Sequence, residues 1–460
     1  MVRFTGSLLQ YPARAALLWY AGLIAGGALL LSLPQAVVGD ARPLSTVDAV
    51  FTATSACCVT GLTVRSTGNE LSRFGQAVVL ALIQVGGIGI MTLTTFVVLR
   101  LGGRESLRHR VLLTQTLGSA ERDLRIMIWK ILRLVFVCEG VGFVLLALPG
   151  LGGDDYGAFG NRLWEACFHS VSAFCNAGFA LDDGSLAQYR ADPLVNGTVI
   201  GLIVLGGIGF PVIRDLGAAF RSRRLRGWEA LTMHSKMMII GTSGLLFGGA
   251  AVILMLEWNN ILTDMPLGEK LLVACFQSTT TRTAGFETVP MAALTNATLF
   301  FLMLLMVVGG GPCSTAGGFK VSTLMVLVCH AWSKFRGSQR VNFFRRSVAP
   351  GSVDTAMAAM LLFCTVAAAA LVAFLVMEQA DAPHHAGQHV FLDAAFEVCS
   401  ALGTVGLSTG ITPALGPAAK SVLIMLMFLG RLGPISAFAA LARSDRRDRV
   451  EYPKEEVLIG

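Results

Sequence analysis

The chain has 460 residues, 54% hydrophobic and only 14% charged, with a formal net charge of +7 and a mean hydropathy of +0.66. No water-soluble domain buries this much apolar surface, so the composition excludes a soluble enzyme or binding module and places the chain in a bilayer. The positive balance does not by itself point to nucleic acid, because basic residues also set membrane topology.

Along the chain, eight apolar runs reach the roughly 20 residues that a spanning helix needs. They lie near 15–33, 75–99, 126–148, 194–216, 236–256, 296–329, 354–377 and 418–441. The first follows MVRFTGSLLQYPAR. It is too long for a signal peptide and lacks a convincing small-residue cleavage site, so it reads as a retained helix. Between each odd-numbered run and the next lies an apolar segment too short to cross, at 46–56, 162–173, 268–279 and 390–401. Such half-length segments read as re-entrant pore helices, since irregular backbone at membrane depth is tolerated only inside protein or along a watery cavity.

Each short segment runs into a related heptapeptide: SACCVTG ending at Gly61, SAFCNAG at Gly178, TTTRTAG at Gly285 and SALGTVG at Gly406. An aromatic precedes each, at Phe51, Phe168, Phe276 and Phe396, and three copies carry an acid three residues earlier, at Asp48, Glu165 and Asp393. The third copy departs: Phe276 stands one residue closer to its glycine, and no acid matches. Self-similarity at so long a period marks repeated structural units. The expected fold is therefore all-α and integral to the membrane, with eight spans and four re-entrant pore helices arranged pseudo-fourfold around one central pore. Its helix–pore loop–helix repeats are 1–105, 106–220, 221–335 with a broken second helix, and 336–460 with a C-terminal tail.

Lys and Arg are retained on the cytoplasmic side. The N-terminus, the linkers 100–125, 214–236 and 330–353, and the tail from 443 hold most of the 36 basic residues, whereas the loop-bearing regions hold few. Both termini are thus expected in the cytoplasm, with the glycine loops entering from outside. Clusters such as RSRRLR at 221–226 read as topology signals or anionic-lipid contacts rather than a nucleic-acid site. The ten cysteines show no CxxC and read as small buried apolar groups. The HHAGQH cluster at 384–389 contains no acid or cysteine of its own and is a weak signal for a metal site.

A ring of short backbone loops suits a desolvated monovalent cation. Removing such an ion from water costs on the order of 20 kcal/mol by Born arithmetic, and backbone carbonyls can replace the lost water. Glycine, free to take positive φ, helps carbonyls face a common axis. The expected filter strands are Cys58, Val59, Thr60 and Gly61; Cys175, Asn176, Ala177 and Gly178; Arg282, Thr283, Ala284 and Gly285; and Gly403, Thr404, Val405 and Gly406. Pore-helix C-termini, each with roughly half a negative charge, favour a cation there. Arg282 carries the wrong sign for such an axis, so its side chain is expected to turn away, to an acid such as Glu287 or to carbonyls. Each loop taken alone also reads as an ordinary glycine turn; four copies in phase with eight spans argue against that.

The sequences GGIGI at 86–90, GGIGF at 206–210 and GRLGP at 430–434 allow close helix packing or a kink. The sixth run is interrupted by GGGPCSTAGGFK, residues 309–320, which a continuous helix tolerates poorly. It lacks the GK[ST] ending of a phosphate-binding loop, and no strand precedes it. Two half-helices joined by a loop at membrane depth are expected, with Gly309, Gly310, Gly311, Pro312, Cys313, Ser314, Thr315, Ala316, Gly317, Gly318 and Lys320 forming a gate below the filter. Arg431, an intramembrane charge, is expected to pack near that loop. Glu139, in the third span, is expected to pair with Arg133 or Lys130.

On TSACCVTGLTV, LIQVGGIGIMT, FHSVSAFCNAGF, TTTRTAGF, GGGPCSTAGGFKVST, MFLGRLGP and the tail EYPKEEVLIG, the chain resembles the ion-translocating membrane subunits of bacterial Ktr potassium uptake systems, within the Trk/Ktr/HKT superfamily. TrkH members of that superfamily have an additional N-terminal pair of helices, and here the first repeat starts almost at once. The resemblance implies potassium uptake, often dependent on sodium, across the bacterial plasma (inner) membrane. It implies a homodimer with one pore per protomer, on a cytoplasmic ring of KtrA-type subunits that carry the nucleotide. No resident cofactor is expected. In sodium-preferring plant relatives the first filter glycine is commonly serine, so Gly61 points to potassium. Two alternatives stay open: a sodium-permeable or weakly selective cation channel, and a secondary transporter of an organic solute with broken helices. No Ser/His or paired-carboxylate arrangement supports an enzyme.

Overall fold

The structure is a computed structural model that describes residues 12–39, 43–101, 120–148, 156–221, 227–338, 340–344, 346–379 and 390–433. The His cluster at 384–389, the basic linker 102–119 and the tail from 434 lie outside the described residues.

Helices occupy all eight apolar runs. They are α1 (Pro12–Leu31), α3 (Arg73–Leu101), α4 (Ala120–Ala147), α6 with α7 (Pro193–Ile208 and Phe210–Arg221), α8 (Met233–Glu257), α10 with α11 (Asn296–Val307 and Val321–Phe335), α12 (Pro350–Gln379) and α14 (Pro417–Leu432). By length and composition alone, Arg73–Thr92, Met233–Glu257 and Pro350–Glu378 are each long and apolar enough to cross a membrane; Pro193–Ile208 and Phe210–Phe220 qualify as a pair bent by 100°. The bend falls at Gly209, whose φ of +97° an L side chain rarely adopts. The GGIGF sequence therefore breaks its helix, while GGIGI at 86–90 runs through α3 unbroken.

Between these helices lie four more: α2 (Thr46–Cys57), α9 (Leu267–Thr280) and α13 (Val390–Gly403), which are short, and α5 (Tyr156–Cys175), which at 20 residues starts earlier than the 162–173 segment expected from sequence. Ser45 starts α2 as an N-cap, its hydroxyl accepting from the Asp48 amide at 3.1 Å. The aromatics read from the repeat, Phe51, Phe168, Phe276 and Phe396, are all fully buried. So are the residues after each glycine: Leu62, Phe179, Phe286 and Leu407. Each loop is thus pinned by apolar side chains on both sides, and truncating one such Phe to alanine should cost about 3–5 kcal/mol.

Polar contacts stitch neighbouring repeats together. Lys420 pairs with Asp48 at 2.8 Å, joining α14 to α2. Asn69 donates to Asp183 at 2.8 Å, and Ser66 bonds the same carboxylate. The Leu186 amide donates to the Glu287 carbonyl at 2.8 Å, and Arg190 pairs with Glu269 at 2.5 Å. A short hairpin, β1 (Asn342–Phe343) with β2 (Arg346–Ser347), lies between α11 and α12. None of the ten cysteines, all within the described residues, is in a disulfide.

Candidate ion-conduction site

The four loops close on one another in chain order. A methyl group built at Gly61 would stand 2.6 Å from the Ala177 carbonyl oxygen, one at Gly178 2.8 Å from that of Ala284, one at Gly285 2.5 Å from that of Val405, and one at Gly406 2.1 Å from that of Thr60. First meets second, second third, third fourth and fourth first: a closed ring. Any side chain at these glycines would enter a neighbour's carbonyl. The expected strands are brought together at one place.

Backbone conformation repeats as well. Gly61, Gly178, Gly285 and Gly406 have φ of +99°, +69°, +75° and +93°. Two residues earlier, Val59, Asn176, Thr283 and Thr404 have φ of +55°, +59°, +69° and +51°. β-branched residues pay strain for such values. A strand whose φ alternates in sign can turn successive carbonyls toward one side, as a stripped cation requires. The glycine was legible in sequence; the left-handed residue before it was not, because nothing in Val, Thr or Asn at that place signals positive φ.

A hydroxyl near the end of each of α2, α5, α9 and α13 clamps the loop that follows it. Ser55 Oγ accepts from the Gly61 amide at 3.1 Å and Ser400 Oγ from the Gly406 amide at 3.0 Å. Ser172 Oγ donates to the Phe179 carbonyl at 2.8 Å, and Thr280 Oγ1 to that of Phe286 at 2.7 Å. Counting back from the glycine places Thr279 opposite these serines; the structure assigns the part to Thr280. The third loop is therefore one residue shorter, which explains the displaced Phe276. The recurring Ser/Ser/Thr/Ser was the sequence signal for these clamps.

The second helices press on the pore-helix ends through glycines. Methyl groups at Gly86, Gly206 and Gly430 would lie 2.0, 1.9 and 2.1 Å from the carbonyl oxygens of Cys57, Phe174 and Leu402. Above the ring is a cavity of 230 Å³ lined by all four glycines with Asp182, Asp183 and Glu287. These acids stand outside the heptapeptides; sequence reading named Glu287 only as a partner for Arg282 and missed Asp182 and Asp183, which no repeat marks.

On the opposite side lies the segment between α10 and α11. The Gly309 amide donates to the Phe319 carbonyl at 2.8 Å, and the Val321 amide to that of Gly310 at 3.1 Å, closing the loop at its neck. Its body is held by α6: the Gly311 and Thr315 amides donate to the carbonyls of Gly207 and Gly206 at 2.7 and 3.1 Å. Thr315 Oγ1 donates to the Phe174 carbonyl at 3.1 Å. A methyl at Gly317 would lie 2.0 Å from Thr404 Oγ1, and one at Gly309 3.2 Å from Thr283 Cγ2, so the segment touches two of the four strands. Cys313, between Pro312 and Ser314, and Gly318, two residues after Ala316, take positive φ at its turns.

Three cations reach this region. Arg431 donates to the carbonyls of Thr315 and, at 3.0 Å, Gly86, the latter also accepting from Tyr20 Oη at 2.8 Å. Lys320 Nζ donates to the Ala316 carbonyl at 2.7 Å. Arg282 turns from the axis to the carbonyls of Thr242 and Gly309, at 3.3 and 3.0 Å; of the two partners expected, carbonyls and not Glu287 receive it. Glu139 corrects the sequence reading: its carboxylate accepts from Gln84 Nε2 at 2.9 Å rather than pairing with Arg133 or Lys130. Helix α4 turns Glu139 inward toward α3 and α5, away from those basic residues.

A family model for TrkH, described as a cation transport protein, matches residues 28–449. The chain is 36% identical over 453 residues to "Ktr system potassium uptake protein B" of Vibrio alginolyticus, covering 97% of this chain and 94% of that protein. It is 35% identical over 437 residues to the protein of the same name from Bacillus subtilis, covering 94% and 93%. The fold is similar to the crystal structure of the potassium transporter TrkH from Vibrio parahaemolyticus, with a TM-score of 0.71 at 20% identity, over 93% of this chain and 84% of that one.

Proposed function

Since the chain belongs to the TrkH family of cation transport proteins, we propose that it carries potassium ions inward through the ring of Gly61, Gly178, Gly285 and Gly406. One observation carries this reading: four loops of alternating φ, each glycine against the next loop's carbonyl, in a closed cycle. The ion sheds water in the vestibule, where Asp182 and Asp183 supply negative potential. It passes among the carbonyls of Cys58–Gly61, Cys175–Gly178, Arg282–Gly285 and Gly403–Gly406. The C-terminal ends of α2, α5, α9 and α13, which lead into these strands, add partial negative charge that favours a cation there.

The segment 309–320 is the gate. It lies against Thr283 and Thr404 and is held by Arg431 and Lys320 through its own carbonyls, so a modest shift of this loop opens the path. Eight spans, counting the two broken ones singly, and four re-entrant helices form four repeats about the pore. Both termini and the basic linkers face the cytoplasm of a bacterial inner membrane. The names of the Vibrio alginolyticus and Bacillus subtilis relatives, which place them in a Ktr system, support assembly with other subunits. We assign the cytoplasmic side as the docking face for a KtrA-type nucleotide-binding ring and the protein as a homodimer, with transport responsive to sodium.

The test is rubidium influx into liposomes holding the purified protein, with sodium and potassium as competitors and with and without a ring subunit. Rubidium influx suppressed by potassium and not by equimolar sodium supports the reading. Equal suppression by both would favour a weakly selective cation channel, and no cation flux from correctly folded protein with its ring would refute the proposal.

A further inference from the structure

The second filter strand is backed by a polar cluster that conduction at carbonyls does not itself require. Glu139, on α4, is 5% exposed, and no cation pairs with it among the described residues. Its Oε2 accepts from Gln84 Nε2 at 2.9 Å, and its Oε1 faces Cys175 Sγ at 3.9 Å. Gln84 Oε1 lies 3.7 Å from the same sulfur. Two polar side chains from two long helices thus converge on the first residue of one filter strand.

Helices α3, α4 and α5 are shaped for this convergence. A methyl at Gly87 would stand 2.8 Å from Cys175 Sγ, and one at Gly142 2.7 Å from Ser170 Oγ. Ser170 Oγ donates to the Glu139 carbonyl at 2.5 Å, tying the pore helix to α4 beside the carboxylate. Behind the pair is a 500 Å³ cavity lined by Leu80, Phe136, Phe143 and Val171, among others. The equivalent place in the third strand is Arg282, tied to two carbonyls; in the fourth it is Gly403, with no side chain. An uncompensated acid at membrane depth is expensive, and such residues are functional by default.

We propose that Glu139 is a positioning residue: hydrogen-bonded to Gln84, it fixes Cys175 and so the carbonyls of the second strand, and sets discrimination between potassium and sodium. The inference rests on the transport reading above. A carbonyl filter separates two monovalent cations by the spacing and field of its oxygens, so slack in one strand of four reads as lost discrimination more than lost conduction. The role needs hydrogen bonds rather than charge, and a glutamine at 139 reproduces them.

The experiment measures rubidium influx and its inhibition by sodium in liposomes, for the native protein, Glu139→Gln, Glu139→Ala, Gln84→Ala and the Gln84→Ala/Glu139→Ala double variant. Glu139→Ala should make sodium about tenfold more effective as a competitor, some 1.4 kcal/mol of discrimination. Glu139→Gln should stay native, and the double variant should be no worse than either single alanine, because the residues act as one unit. A native sodium ratio in folded Glu139→Ala overturns the proposal, as does Glu139→Gln failing as badly as Glu139→Ala. If Glu139→Ala does not fold, Gln84→Ala decides by the same ratio. Absence of rubidium influx in the native protein is a different result, refuting the transport reading itself.

Discussion

Gly406→Ala isolates the filter geometry, because a second glycine four residues on provides its control. At Gly406 the φ is +93°, and the added Cβ would lie 2.1 Å from the Thr60 oxygen and 2.9 Å from the Gly61 Cα. At Gly410 the φ is +97°, yet nothing stands within 4 Å. Both substitutions carry the backbone strain of a left-handed alanine, on the order of 1–3 kcal/mol; only Gly406→Ala adds a collision. To reach even 3.0 Å, a separation real Cβ atoms hardly ever undercut, the Thr60 oxygen must retreat by about 0.9 Å. A coordinating carbonyl moved that far no longer serves an ion on the axis. Removing one preorganised dipole from a charge-stabilising site costs about 2.7–4 kcal/mol, or 10²- to 10³-fold in rate. Rubidium uptake should therefore fall by about two orders of magnitude in Gly406→Ala and remain within about tenfold of native in Gly410→Ala. Uptake and selectivity are read per folded molecule, with thermal stability in detergent measured alongside. Native transport in Gly406→Ala, or equal damage in both variants, would refute the filter assignment.

Gly61→Ser should weaken potassium selectivity, since its side chain enters toward the Ala177 oxygen; sodium competition against rubidium reports it. Arg431→Ala removes the donations to Thr315 and Gly86, so ungated rubidium leak without the ring subunit should rise at least severalfold; an unchanged leak would dispose of its place in the gate. Burial, working against backbone hydrogen bonds from Ser408 and Met291 and helped by the nearby Glu397 charge, pushes the Glu287 carboxyl up to about 8. Its raised value favours the folded state fully below the ordinary carboxylate range, and that contribution is lost as pH rises through 8. Uptake should rise modestly above pH 8 as the vestibule gains a charge, and Glu287→Gln should flatten the profile. Lys420→Met strands the partly buried Asp48 carboxylate and should lower stability by about 1–3 kcal/mol, seen as a lower melting temperature in detergent.

Much of the site was legible because it is written four times. The heptapeptides place Gly61, Gly178, Gly285 and Gly406, and the break at Gly309–Gly318 announces itself through glycine and proline that no helix interior accepts cheaply. Arg282 was readable as a charge that must turn away, but not where it turns, since the carbonyls of Thr242 and Gly309 are remote in sequence and invisible in side-chain identity. Glu139 was misread for a related reason. Sequence offers Arg133 and Lys130 as near neighbours on its own helix, while its actual partner, Gln84, lies on another helix and carries no charge to attract notice. Val59, Thr283 and Thr404 gave no warning of positive φ, because the surrounding fold imposes it against their preference.

By itself the amino-acid sequence determined the solvent, the helical class, the repeat and the glycines, since hydropathy, segment length and residue type act locally on the backbone. The cyclic order in which each glycine meets the next loop's carbonyl, the 100° bend at Gly209 and the cage of Gln84 and Glu139 around Cys175 were decided only by tertiary structure. Those features depend on distances between elements far apart in the chain, and a carbonyl oxygen, the group proposed to coordinate the ion, is the same in every residue.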